Sequence, residues 1–263
     1  MYAELGFMFD TGLPRTQRTF TFGPISTTLQ FVDDEPGAVQ SGHYLWPASP
    51  CLASYLVEQR ESIPAGSVLE LGAGCGLAGL TAAQLTGVSA VVFTDHDFGV
   101  IELLQENIEH LRQAGSAKAG VLAAQSLSWG EVDQKTVAAV HAAAGLQQPQ
   151  AGAFSLVLGS DVIYAKSVVR PLFATACAFL AQPHGQFIMS QSFAYDAETE
   201  AEMDAACAAH KLRRRVVHDA LGTEGGTKLQ IFTWASSCCR VCVCVCVVVS
   251  VCVIVRTCCT CHH

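Results

Sequence analysis

Residues 68–77 read VLELGAGCGL, and this stretch decides the fold of the chain. An apolar run of strand length enters three alternating glycines, and a segment with helical spacing follows as far as Leu85. Glycine lets a ligand approach the main chain closely, and the start of the next helix offers free N–H groups. The stretch therefore predicts a strand, a ligand-binding turn and a helix.

The same alternation continues along the chain on both sides of this stretch. Strands are predicted at residues 67–71, 90–94, 121–124, 154–159, 186–190, 214–218 and 228–234. Helices are predicted after a Ser49 cap and at residues 77–85, 98–111, 167–180 and 197–210, with a weakly patterned helix-loop insertion at 131–152. Such alternation indicates an α/β fold, a doubly wound, seven-stranded, mostly parallel sheet covered on both faces.

Three regions are predicted along the chain. Residues 1–41 contain two β-rich runs around Gly23-Pro24, which predict a hairpin appended outside the core. Residues 42–235 form the α/β domain. Residues 236–263 form a Cys/Val tail whose uncharged run, 241–255, is 15 residues long, too short for the roughly 20 of a membrane-spanning helix. We interpret the tail as a dispensable extension of the kind that a TG repeat encodes, without a metal site.

Composition excludes several classes of protein. The chain has 263 residues, and 51% of them are hydrophobic. Its formal net charge of −8 has the wrong sign for non-specific binding to a nucleic-acid phosphate backbone. We therefore expect no nucleic-acid partner. Nine of the thirteen cysteines lie in the tail, and the four in the body suit a reducing compartment. The first thirty residues hold no secretory apolar run, so we expect a cytoplasmic protein, with nuclear entry left open.

The glycine loop predicts an adenosine ligand. Residues 74–79 match the dinucleotide pattern G-x-G-x-x-G, and Asp95 follows Gly74 at the distance expected of a ribose-binding acid. The loop alone does not choose between NAD and another adenosine ligand. Glu70 precedes the first glycine, and a carboxylate there suits a ligand with a positive amino or sulfonium group. Because no Tyr-x-x-x-Lys pair is present to manage a hydride transfer, S-adenosylmethionine is favoured.

Six motifs in one order carry a family resemblance over residues 42–234. They are Tyr44-Leu45-Trp46-Pro47-Ala48, the loop from Glu70 to Gly76, Thr94-Asp95, Leu103-Leu104 to Asn107, Leu127-Ser128-Trp129-Gly130, and Leu158-Gly159-Ser160-Asp161-Val162-Ile163-Tyr164. In these motifs the chain resembles the class I methyltransferases. More narrowly it resembles the family-16 group, which contains the lysine methyltransferases of calmodulin, elongation factors and valosin-containing protein.

The resemblance implies a role for each matching residue. Trp46 lines the cofactor cleft, Asp95 holds the ribose hydroxyls, and Trp129 lies against adenine. Gly72, Ala73 and Gly74 approach the methionine part of the cofactor, and Ser160 contacts the cofactor through its backbone. Ser128 departs from the family's acidic or amide residue before Trp-Gly, and Ser155 departs from its usual Asp.

Asp161 and Tyr164 match the family's Asp-x-x-Tyr element and are the predicted catalytic residues. Methyl transfer needs alignment and a neutral nucleophile, without a metal. We expect Asp161 to orient the incoming ammonium and Tyr164 to wall the channel or accept a hydrogen bond. The predicted function is methylation of a protein side chain by a monomer, with lysine favoured and arginine open. The alternatives are a small-molecule methyltransferase, a catalytically silent binding protein and, less favoured, a nicotinamide oxidoreductase.

Overall fold

The structure is a computed structural model, and it describes residues 14–33, 41–146 and 152–235. The predictions for the tail fall on residues outside these ranges. Nine strands are described: β1 (Arg15–Phe22), β2 (Ile25–Val32), β3 (Gly66–Leu71), β4 (Val88–Asp95), β5 (Val121–Ser126), β6 (Leu156–Ser160), β7 (Gln186–Gln191), β8 (Leu212–Asp219) and β9 (Lys228–Trp234). Six α-helices accompany them: α1 (Ala48–Glu58), α2 (Leu77–Ala82), α3 (Phe98–Gln113), α4 (Gln134–Ala143), α5 (Val169–Phe179) and α6 (Ala197–His210).

Seven of these strands form one sheet in the order β5-β4-β3-β6-β7-β9-β8. The first five are parallel, β9 runs antiparallel to β7, and β8 runs antiparallel to β9. This arrangement confirms the predicted α/β fold with a mostly parallel, seven-stranded sheet. The chain leaves β3 toward β4 on one side and returns to β6 on the other, so the order reverses beside β3. Open α/β sheets bind ligands at such a reversal, outside the carboxyl ends of the strands.

Two apolar layers cover the sheet because adjacent strand residues point to opposite faces. Val68 of β3 packs in the layer formed by α1, α2 and α3, whereas Leu69 packs in the layer formed by α4, α5 and α6. The runs of buried residues in β3 and β4 follow from this double cover.

The N-terminal hairpin is confirmed, with Gly23-Pro24 between β1 and β2, but its predicted place outside the core is wrong. Ile25, Leu29 and Phe31 on one face of β2 are buried in the same cluster as α1, α2 and α3. The side chain of Asn107 on α3 accepts a hydrogen bond from Gln30 N and donates one to Gln30 O, so it ties β2 to the helix. The hairpin is therefore part of the domain core.

Helix α1 begins earlier than its predicted Ser49 cap. Its first residue is Ala48 and its cap residue is Pro47, so Ser49 lies in the first turn. The helix needs no side-chain cap of its own because Asp161, which directly follows β6, accepts a hydrogen bond from the Ala48 N–H. In the three described ranges no helix is both long and apolar enough to cross a membrane.

Candidate active site

A cavity of about 810 Å³ opens at the carboxyl ends of the five parallel strands. Each strand delivers part of its wall, and the segment before α1 closes one side. Nine of the ten residues predicted for the site line it: Trp46, Gly72, Ala73, Gly74, Asp95, Trp129, Ser160, Asp161 and Tyr164. The topology thus gathers residues that are far apart in the sequence.

The glycine loop forms the floor of the cavity. Gly72, Gly74 and Gly76 all have positive φ angles, 59°, 52° and 83°, which residues with side chains rarely adopt. A Cβ atom on Gly72 would lie 2.9 Å from Cζ2 of Trp129, and one on Gly74 would lie 3.0 Å from the carbonyl oxygen of Gly42. The glycines are required both by the turn and by the walls that close over it.

Asp95 ends β4 and presents its carboxylate at the cavity. Its Oδ1 accepts hydrogen bonds from the backbone N–H groups of His96 (2.8 Å) and Asp97 (3.2 Å), and its Oδ2 accepts one from Gly74 N (3.2 Å). These donors hold both oxygens in place, and Oδ2, which has a single protein donor, keeps acceptor capacity for the ribose. The imidazole of His96 lies 3.3 Å from Oδ1, and this hydrogen bond raises the pKa of His96.

Glu70 is the one predicted site residue that the structure does not place in the cavity wall. Its side chain is 1% exposed, and Oε2 accepts a hydrogen bond from Gly79 N at 3.0 Å, in the first turn of α2. Gly76 precedes α2 and has no side chain to cap the helix. The carboxyl of Glu70 on β3 instead accepts a hydrogen bond from a free N–H group of the first turn. Burial raises the pKa of Glu70 to about 8, and the nearby charge of Asp95 adds to the rise.

Aromatic rings form the walls of the cavity. Trp129 and Tyr164 lie with ring centroids 6.3 Å apart and planes inclined at 35°, and Tyr164 is 68% exposed. Phe193, which follows β7, also lines the cavity with 36% of its surface exposed. Sequence reasoning missed Phe193, although an aromatic residue three positions beyond a predicted parallel strand was a usable signal.

Asp161 lines the cavity but directs its carboxylate toward the protein. Its Oδ1 accepts a hydrogen bond from Ser192 N (2.7 Å), while Oδ2 accepts from Ser192 Oγ (2.9 Å) and Ala48 N (3.0 Å). The side chain is 8% exposed, and burial raises the pKa of Asp161. This geometry differs from the expectation that the carboxylate is free to orient an incoming ammonium.

Within the described ranges no group of three His, Cys, Asp or Glu side chains converges as a metal site does. The cavity instead offers a glycine cradle, a fixed carboxylate and flat apolar rings. These groups fit a nucleoside: backbone N–H groups and glycines admit it closely, Asp95 accepts from ribose hydroxyls, and an indole covers a purine.

Comparisons with known proteins agree with this geometry. Residues 26–202 match the lysine methyltransferase family. The chain is 31% identical over 146 residues to mouse EEF1A lysine methyltransferase 3, covering 56% of this chain and 53% of that protein. It is 33% identical over 132 residues to mouse protein N-lysine methyltransferase METTL21A, covering 50% and 52%. The chain thus spans about half the length of these two relatives.

Two further likenesses are less specific. The chain is 29% identical over 187 residues to mouse histone-arginine methyltransferase METTL23, covering 70% of this chain and 66% of that protein. Among solved structures, a predicted O-methyltransferase from Agrobacterium tumefaciens superposes with a TM-score of 0.51 at 20% identity, covering 72% of this chain and 82% of that one. The second likeness concerns the fold alone.

Proposed function

The chain belongs to the lysine methyltransferase family, and from that membership we propose that it transfers a methyl group from S-adenosylmethionine to a protein side chain, with lysine as the favoured acceptor. The observation that carries the proposal is the convergence of the glycine loop, Asp95 and Trp129 on one cavity. A volume of about 810 Å³ lies in the range of small-molecule sites and leaves room for an acceptor side chain.

The residues present fit the cofactor. Asp95 is placed to hold the ribose, Trp129 to cover the base, and Gly72 to Gly74 to receive the amino-acid part along the main chain. When bound, S-adenosylmethionine supplies an electrophilic methyl group on a positively charged sulfur. A fixed carboxylate and prearranged backbone donors lower the cost of ordering the site around such a ligand.

The aromatic walls of the cavity favour the neutral form of an acceptor lysine. A lysine side chain has a pKa of about 10.4, so only about one in a thousand is neutral near pH 7. Rings of Trp46, Tyr164 and Phe193 around the cavity displace water from the amine, and desolvation disfavours its charged form. Their flat apolar surfaces are also placed to align the nitrogen, which is the main requirement of a displacement reaction.

The identity of the acceptor rests on weaker support. Two of the relatives carry lysine in their names and one carries arginine, so lysine is the favoured but not the exclusive choice. A net charge of −8 favours encounter with a basic protein partner. Four cysteines in the described body, Cys51, Cys75, Cys177 and Cys207, are free thiols, which supports the proposal that the protein works in the reducing cytoplasm or nucleus. We propose that it does so as a monomer.

The test is a pair of measurements on the wild-type chain. Calorimetry compares binding of S-adenosylmethionine, its demethylated product S-adenosylhomocysteine and NAD. Incubation with methyl-labelled cofactor and a cell extract then shows whether label enters protein. We expect binding of both sulfur nucleotides and label in protein. Tighter binding of NAD than of S-adenosylhomocysteine would overturn the methyltransferase assignment, and label recovered only in small molecules would overturn the protein acceptor.

A further inference from the structure

Two chain segments that carry rings of the cavity wall meet beside the cavity. One is the turn into α1, which carries Trp46, and the other leaves β7 and carries Phe193. Both rings line the cavity, so the positions of these segments fix where the two rings lie. A group that joins the segments therefore influences the shape of this part of the cavity wall.

Asp161 is such a group. One carboxylate oxygen, Oδ2, accepts hydrogen bonds from Ala48 N at 3.0 Å and Ser192 Oγ at 2.9 Å, so it touches both segments at once. Oδ1 accepts a further bond from Ser192 N at 2.7 Å. Ser190 Oγ donates to Ala48 O at 2.9 Å and strengthens the same junction.

The backbone of Asp161 is shaped for this contact. Its φ angle is 51°, in the left-handed region that few residues other than glycine adopt, and its N–H donates to Ser190 O at 2.9 Å. The unusual conformation turns the side chain away from open solvent and toward Ala48 and Ser192. Strained positions of this kind persist where surrounding contacts hold them, and they cluster at functional sites.

The carboxylate has little capacity left for a substrate. Its two oxygens offer about four lone-pair sites, three of which already accept from protein donors. One site on Oδ1 remains, and an acceptor ammonium would have to reach it beside the Ser192 N–H bond, on a side chain that is 8% exposed. Tyr164 and Phe193, in contrast, present exposed ring surface to the cavity.

We infer that Asp161 is a positioning residue that ties the Trp46 segment to the Phe193 segment, and that Phe193 is an additional ring in contact with the acceptor side chain. The inference rests on the proposed function for the identity of the acceptor. Asp161 then acts on the acceptor through the two rings that it fixes, and Ser192 is its partner in doing so.

The variants D161N and S192A test this inference, with S54A as the matched control. Asparagine tolerates the positive φ angle, but its amide offers a single acceptor oxygen and a donor where Ala48 N needs an acceptor. S192A removes one bond and leaves the carboxylate intact. Ser54 lies on α1 and donates to Glu58 at an exposed site, away from the cavity. Melting temperature and S-adenosylhomocysteine affinity confirm that each variant is folded.

Hydrogen exchange gives the readout that needs no substrate. We expect the amides of Trp46, Ala48 and residues 192–194 to exchange at least several-fold faster in both D161N and S192A, with no change in S54A. Unchanged exchange in both variants would overturn the inference, whether or not the protein has methyltransferase activity.

Methyl transfer gives the second readout, with labelled cofactor at saturation and cell-extract protein as the acceptor at increasing concentration. We expect D161N and S192A to raise the half-saturating extract concentration about three- to tenfold without altering the pH profile, and F193A to do the same. A different result is expected if Asp161 acts on the ammonium directly. S192A would then match the wild type, and the defect of D161N would shrink from pH 7 to pH 9.5 as acceptor amines lose their protons.

Discussion

Glu70 and Asp95 show how two acids on adjacent strands acquire different roles. Asp95 ends its strand, so its side chain meets backbone N–H groups at the cavity. Glu70 lies one residue before the end of β3, among the buried residues that face α2. The carboxyl of Glu70 therefore contacts the first turn of α2, and that of Asp95 remains available to a ligand.

Removing the carboxylate of Asp95 should weaken cofactor binding. D95A leaves two ribose hydroxyls without acceptors and frees the Gly74 N–H, which costs about 1–3 kcal/mol, or roughly a ten- to hundredfold rise in the dissociation constant of S-adenosylhomocysteine. Calorimetry measures this change. D97A is the control, because Asp97 also lines the cavity but its Oδ1 caps α3 through Gly99 N. A larger loss in D97A than in D95A would move the ribose contact to Asp97.

Glu70 should make stability depend on pH. The pKa of Glu70 is raised from 4.5 to about 8 in the folded protein, so the folded state holds a proton that the unfolded chain has lost between those values. The free energy of unfolding should therefore fall as pH rises from about 4.5 to about 8, by at most about 1.4 kcal/mol per pH unit from this group.

The variant E70Q isolates this effect, because glutamine keeps an acceptor for Gly79 N and does not ionise. Urea unfolding at pH 6, 7, 8 and 9 should show E70Q gaining stability relative to the wild type up to pH 8 and then holding a constant advantage. A constant difference across the whole range would show that Glu70 is ionised in the folded protein throughout.

At the scale of elements, α4 covers the sheet with an unusual residue. His141 on α4 is 1% exposed, and its ring lies 5.9 Å from that of Phe154 and 5.8 Å from that of Phe179, centroid to centroid. Neither ring nitrogen has a hydrogen-bond partner. Burial lowers the pKa of His141, so the helix is docked through a neutral imidazole.

Replacing His141 by leucine should stabilise the domain. H141L removes two unpaired polar atoms from an apolar layer, and the gain should be on the order of 1 kcal/mol at pH 7.5. Since the folded pKa of His141 is below 6.5, the unfolded chain binds more protons below that pH, and the wild type loses stability there. Urea unfolding at pH 5.5 and 7.5 should show the advantage of H141L growing at the lower pH. H184L, at an exposed histidine, is the control, and a less stable H141L would contradict the prediction.

At the scale of the whole molecule, ligand binding should raise the melting temperature. The cavity draws its walls from all five parallel strands and from the turn before α1, so a ligand held there binds only the folded state. At one hundred times its dissociation constant, a ligand adds about 2.7 kcal/mol, which for a chain of this size corresponds to roughly 5–10 °C.

Thermal unfolding with S-adenosylhomocysteine and with NAD checks this expectation. We expect the shift with S-adenosylhomocysteine and no shift with NAD at the same concentration. Equal shifts with both nucleotides would show that the site recognises adenosine without discriminating the rest of the ligand.

The architecture and the cofactor half of the site are readable from the order of the residues alone. Alternation of strand and helix patterns is a local property of the sequence. Because helices cover both faces of the parallel sheet, β3 and β4 are apolar runs that the sequence shows directly. The glycines of residues 72–76 are likewise readable, because the positive φ angles of this turn strongly favour glycine. Asp95 is predicted as a site residue because it comes directly after a predicted strand.

The directions of the buried carboxyls and the set of rings that line the cavity follow from long-range packing. Whether Glu70 meets a ligand or α2 depends on the face of β3 that it occupies, and one residue of register separates the two outcomes. Asp161 joins Ala48 and Ser192 across the fold, and the place of Phe193 depends on the same junction. Such contacts join distant parts of the chain, and their energies depend on distances that no local pattern of residues encodes.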